Sequence, residues 1–157
     1  LKSFGLSTWE TGLFNMIPFG FAAIFMVIWG RIADKTGERM WSTAIPLALT
    51  SVSLFATLLT GSLTITMILL TLVLIGNYAI KGPFWALSTE TLPPSMAAAG
   101  VAAINTIAHL GTGGATSVLG HIKDQTGSFP MALIPLATLT MIGSITTLLI
   151  GRAQRQR

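Results

Sequence analysis

The chain has 157 residues, 52% hydrophobic and 9% charged, with a net charge of +4 and a mean hydropathy of +0.74. Soluble domains carry about 25% charged residues, so this composition excludes a water-facing globule and implies a polytopic membrane protein, in which lipid replaces water around most side chains. The basic residues flank apolar runs, which is topology information and no sign of a nucleic-acid partner, and the absence of cysteine removes disulfides, thiolate metal sites and thiol nucleophiles.

The chain starts at Leu1 without an initiator methionine or a signal-peptide pattern, and is expected to be the C-terminal piece of something longer. A spanning helix needs about 20 mostly apolar residues. In chain order the first such run is 11–29, preceded by an exposed loop over the first ten residues. A polar turn over Gly30–Arg39 separates it from a second span, 43–59. Thr60-Gly61-Ser62 is a tight turn that makes the second and third spans, 43–59 and 63–87, an antiparallel hairpin. The third ends near Glu90–Pro94, because a residue before proline avoids the helical region, and Ser95 is placed to cap the next helix. The fourth span runs 96–119, a polar loop covers Gly120–Pro130, and the fifth span runs 131–150. No strand pattern competes, so the fold class is all-α: a single five-span membrane helix bundle over residues 1–157.

Lys/Arg bias in short loops sets orientation. Five spans place Arg31, Lys35, Arg39, Arg152, Arg155 and Arg157 on one side, against Lys2 and Lys123 on the other. The Gly30–Arg39 segment and the C-terminus are therefore expected on the cytoplasmic face, with the basic groups against anionic lipid.

The densest charge cluster is Gly30-Arg31-Ile32-Ala33-Asp34-Lys35-Thr36-Gly37-Glu38-Arg39. Gly30 is suited to close helix approach, Gly37 to a backbone conformation that side chains disfavour, and Asp34 to a helix cap or a nearby arginine. The spacing G-x-x-x-D-K-x-G-x-R, carried by Gly30, Asp34, Lys35, Gly37 and Arg39, resembles the loop signature of the major facilitator superfamily of transporters; Glu38 and Met40 depart from it. The segment Lys81-Gly82-Pro83-Phe84-Trp85-Ala86-Leu87-Ser88-Thr89-Glu90-Thr91-Leu92-Pro93-Pro94 resembles the tenth helix of that superfamily's anion:cation symporter branch. Ala98–Ile107 resembles its eleventh helix, and Gly120–Phe129 the loop before its last. The resemblance implies helices eight to twelve of a twelve-helix protein, with the N-terminal half as the missing partner. It further implies alternating-access symport of a small organic anion, a carboxylate or sugar acid, with a proton or another cation. The rival expectation is a non-transporting membrane subunit or scaffold.

Several residues are placed to carry such chemistry. Lys81 is a charged residue well inside a span, where a charge costs roughly 3 kcal/mol even on the lenient insertion scale. It has three readings: a substrate or gating cation, a structural ion pair, or a side chain that snorkels to the interface. Snorkelling is opposed by geometry, since Glu90 lies about 13 Å further along the helix and helical side chains lean towards their own N-terminus. Asn77, Lys81, Trp85 and Ser88 share one face at i, i+4, i+8 and i+11, a polar stripe that faces a cavity or, for Trp85, equally a packed interface. Asn105 and His109 share a face of the fourth span; His109 is either a carrier of the coupling proton or a neutral hydrogen-bonding group. The other face, Ala108, Thr112, Thr116 and Gly120, is a small-residue packing seam. Asn15 and Pro18 add a polar group and a kink, or plain packing. Glu90 is expected to pair with loop basics or to cap backbone groups near Pro93, and His121 and Asp124 to lie in a solvated loop. No ligand spacing supports a metal, and no phosphate-binding loop supports a nucleotide cofactor.

Overall fold

A computed structural model of the chain describes residues 8–155. The first residues, with Lys2, and Arg157 of the orientation argument lie outside the described residues, as does the side chain of Asn15. The elements are α1 (Thr8–Thr36), α2 (Arg39–Ala56) closed by a 3-10 turn at Thr57–Leu59, α3 (Leu63–Ala79), α4 (Lys81–Thr91), α5 (Ala97–Thr126), α6 (Phe129–Ala132) and α7 (Ile134–Arg155). The described residues contain no strand, as the long apolar runs require. By length and composition, four segments are able to cross a membrane: Met16–Thr36, Arg39–Leu59, Leu63–Thr91 and Phe129–Arg152.

The structure departs from the sequence expectation in several places. The segment from Gly30 is not a loop: α1 runs on to Thr36, whose hydroxyl donates to the Ile32 carbonyl at 2.9 Å. Only Gly37 and Glu38 separate α1 from α2, and Gly37 takes φ +66°, the left-handed conformation glycine adopts without strain. Gly30 has open space where a Cβ would sit, so no close approach occurs there. Most of the expected polar loop over Gly120–Pro130 is also helical, because one isolated glycine does not end a helix and the next residues keep the hydrogen-bond ladder. Thus α5 carries His121 and Asp124 and stops at Gly127, again at φ +66°, whose N–H donates to the Lys123 carbonyl at 2.8 Å. Ser95 is not the cap of α5: the chain turns over Pro93–Met96 and Met96 occupies that position, without a side-chain cap bond.

The expected fourth span is helical over 30 residues, but its apolar share is diluted by Asn105, His109 and a run of glycines and threonines; it is not among the four apolar segments. The third span is one rod in two helical segments. Pro83 has no N–H to offer the Ala79 carbonyl, so α3 gives way to α4 at Ile80. Ile80 itself keeps helical angles and still bonds on both sides, to Gly76 and from Phe84, so the helical register continues across the break.

Packing centres on α2, which lies against α7 on one side and α3 on the other, while α1 lies against α3. The α2–α7 interface is hydroxyl-rich and buried. Ser51 donates to the Ala137 carbonyl at 2.7 Å and Ser144 to the Ala44 carbonyl at 2.8 Å. Lipid gives helices no hydrophobic reason to associate, so small residues and interhelical hydrogen bonds of this kind supply the contact. At the α2–α3 crossing, a Cβ on Gly76 would meet the Pro46 carbonyl oxygen at 2.6 Å and the Thr50 hydroxyl closer still. In contrast, α5 buries no residue, and its principal neighbours are the short α6 and α4. One long helix therefore stands at the side of a packed four-segment bundle.

Candidate functional site

The continuous helical register through Ile80 keeps the polar stripe on one face. Leu63–Thr91 is 29 residues long, so Asn77 and Tyr78 lie at its middle. Lys81, the first residue of α4, is exposed, and its side chain turns back by one helical turn: Nζ sits 4.0 Å from the centroid of the Tyr78 ring. That is the direction a helical side chain leans, and it runs away from the Glu90 end. Among the described residues, the ammonium has no carboxylate partner. Tyr78 meets the edge of Phe19 on α1, with ring centroids 6.1 Å apart and planes at 86°.

Asn77 is exposed on the same face, and Trp85 is half-buried, edge-on to Phe84 at 5.3 Å. The Ser88 hydroxyl donates to its own helix at the Phe84 carbonyl, 2.8 Å away, which leaves it only acceptor capacity for anything outside. Asn105 and His109 are exposed on α5, without a side-chain partner among the described residues. The structure brings Asn77, Lys81 and Trp85 together on one face of the α3–α4 rod. It does not bring Asn105 and His109 into contact with them. The α5 seam is likewise without a facing helix, its Thr112 and Thr116 hydroxyls bonded to Ala108 and Thr112 of the same helix.

A second constellation gathers helix ends. Arg39, at the start of α2, donates from Nη1 to Asp34 Oδ1 at 2.7 Å and from Nε to Glu90 Oε1 at 3.2 Å. Asp34 lies in the last turn of α1 and Glu90 in the last turn of α4. Each of these three charges is opposed by its own helix macrodipole, carboxylates at C-termini and a guanidinium at an N-terminus, and the pairing offsets all three. Arg39 ties α1, α2 and α4 together at one end of the bundle, while Lys35 and Arg31 remain exposed. The carboxylates are 72% and 55% exposed against 21% for Arg39, so each pair is worth about 0.2–1 kcal/mol and is screened by salt. Glu90→Gln should lower the melting temperature of the purified protein slightly, by less than about 1 kcal/mol in stability. The difference should shrink in high salt; a large salt-independent loss would mean that Glu90 acts by packing.

The expected pairing of Glu90 with a basic residue of the first turn is met, and the structure selects Arg39, 51 positions away, as its partner. Another part of this geometry escapes a reading of residue types. Tyr78 and Phe19 are hydrophobic by class, and only the three-residue spacing of Tyr78 from Lys81 hints at their contact. Among the described residues, no cluster of three or more His, Cys, Asp or Glu is placed to hold a metal ion.

The long, hydroxyl-packed apolar helices define a multi-pass helical membrane protein, and its relatives make the class specific. The family model of the Major Facilitator Superfamily matches residues 1–116. A "Putative tartrate transporter" of Agrobacterium vitis is 44% identical over 153 residues, covering 97% of this chain and 35% of the relative. A second protein of that name from the same organism is 40% identical, covering 98% and 34%. A "Quinolone resistance transporter" of Acinetobacter baumannii is 27% identical over 159 residues, covering 100% and 37%. No solved structure matches the chain. The chain belongs to the Major Facilitator Superfamily, a family of membrane transporters. It spans about a third of the length of the curated relatives it matches.

Proposed function

We propose that this chain forms helices of the second half of a secondary transporter that takes up a small organic anion, a carboxylate or sugar acid, together with a proton or another cation. The observation that carries this reading is Lys81: an ammonium near the middle of a 29-residue span, turned towards mid-span and without a carboxylate among the described residues. An unneutralised cation at that depth attracts a carboxylate strongly, because the low local dielectric magnifies Coulomb energies. Secondary transporters build their sites near the bilayer midplane where spanning helices are interrupted, and the one-residue break between α3 and α4, at the hydrogen bond that Pro83 cannot make, is the place on this span where such a site would lie. The two relatives described as putative tartrate transporters support a hydroxylated dicarboxylate as the substrate type.

In this reading Asn77 and Trp85 line the site beside Lys81, and Asn105 and His109 complete it from α5 once the N-terminal half of the same protein closes the cavity. His109 exchanges the coupling proton. The Gly30, Asp34, Lys35, Gly37 and Arg39 motif and the C-terminus lie on the cytoplasmic face, against anionic lipid. The full-length protein, reconstituted in liposomes, should take up labelled tartrate saturably, and faster with an inward proton gradient. Saturable uptake that ignores every imposed cation gradient would exclude symport, and no saturable uptake of any dicarboxylate or sugar acid would exclude the substrate class.

A further inference from the structure

We propose that Tyr78 is the positioning residue for Lys81, holding its ammonium at mid-span by the ring face while Phe19 of α1 fixes the plane of that ring. The inference rests on the reading of Lys81 as the anion-binding cation. Three observations lead to it. The ammonium lies 4.0 Å from the Tyr78 ring centroid, well inside the range in which the negative face of an aromatic ring attracts a cation. Phe19 presents itself to Tyr78 nearly at right angles, at 6.1 Å, so the ring is braced from a different helix. Lys81 is exposed and has no carboxylate among the described residues, so the ring is the group that orients it there.

The choice of partner matters for function. A carboxylate at this place would neutralise the ammonium and compete with an incoming anion. A ring face stabilises the same charge without neutralising it, and it occupies only one side of a group with three N–H donors. The lysine therefore keeps its net charge and its remaining donors for the substrate. A flexible four-carbon stem left unheld would spread the ammonium over many positions, and pre-orienting it removes that entropy from the binding step. The bracing from α1 also makes the position of the cation depend on how α1 and α3 sit together.

Uptake kinetics of the full-length protein test this. Tyr78→Leu should raise the KM for a carboxylate substrate such as tartrate by about tenfold, with a smaller change in kcat, whereas Tyr78→Phe should stay within about twofold of the parent. In a Lys81→Met background, Tyr78→Leu should have no further effect on KM, because the ring then has no cation to hold. Phenylalanines carrying one, two and three ring fluorines at position 78, which drain the ring face at nearly constant size, should raise KM stepwise. This series stands even where Tyr78→Leu does not reach the membrane. An unchanged KM in Tyr78→Leu, a Tyr78→Phe defect as large, additive effects with Lys81→Met, or a flat fluorine series would each overturn the role of Tyr78. Uptake that survives Lys81→Met unaltered would instead overturn the reading of Lys81 itself.

Discussion

Lys81→Met should reduce kcat/KM for organic-anion uptake by about 30-fold or more, while the protein still reaches the membrane in normal amount. Methionine keeps a stem of similar length and apolar character, so the packing around Tyr78 and Pro83 survives and only the charge is lost. Removing one member of a desolvated charge pair costs about 2–5 kcal/mol, and 1.4 kcal/mol is a factor of ten. Removing a charge from membrane depth also relieves an insertion penalty of roughly 3 kcal/mol, so the variant should be no less stable than its parent. A melting temperature that holds or rises while uptake collapses separates binding from folding. Unchanged uptake would show that Lys81 lies outside the anion path, and a loss of folded protein would mean that the lysine serves the bundle. Lys81→Arg should recover part of the activity, since the charge remains but the planar guanidinium does not reproduce the ammonium's position over the ring.

Gly76→Ala should destabilise the bundle by about 1–3 kcal/mol, and Gly76→Leu should prevent accumulation of folded protein. Two effects oppose each other here. Alanine is the better helix former by about 1 kcal/mol, which alone would make the substitution favourable. Its Cβ, however, would lie 2.6 Å from the Pro46 carbonyl oxygen and against the Thr50 hydroxyl, which itself donates to that carbonyl at 2.9 Å. The obstacle is backbone with a bonded side chain, so neither swings aside and α2 and α3 must separate. The steric term wins. Gly20→Ala on α1 is the matched control: nothing lies within 4 Å of that Cβ, so the propensity gain should show undiminished. Thermal unfolding of the two variants in the same detergent compares them directly, and equal behaviour would mean that the α2–α3 crossing is looser than described.

The legible part of the fold is the part governed by composition and short spacing. The apolar runs sufficed for α1, α2, the α3–α4 rod and α7, because a bilayer imposes length and apolarity on each spanning segment regardless of its neighbours. Gly37 was legible as a left-handed position and Asp34 as a partner for a nearby arginine, both within five residues of their consequences. Element ends were less so. The segments after Gly30 and Gly120 contain polar residues that also form helix, and a helix does not stop where the hydrocarbon does; only Gly37 and Gly127, with their positive φ, end α1 and α5.

The candidate site divides along the same line. Sequence alone determined a membrane-embedded all-α chain, the transporter signature, a lysine at depth, and Asn77, Lys81 and Trp85 on one face, since these follow from composition and the 3.6-residue repeat. Tertiary structure decided what each charge meets. It joined Arg39 to Glu90 across 51 positions, turned Lys81 onto Tyr78 with Phe19 behind it, pressed Gly76 rather than Gly30 against a neighbouring helix, and left α5 without a buried residue. The physical reason is that lipid gives every apolar helix the same environment, so hydropathy says which residues span but not which helices touch. That is settled by small residues, hydroxyls and charges at particular crossings, and their partners are distant in the chain.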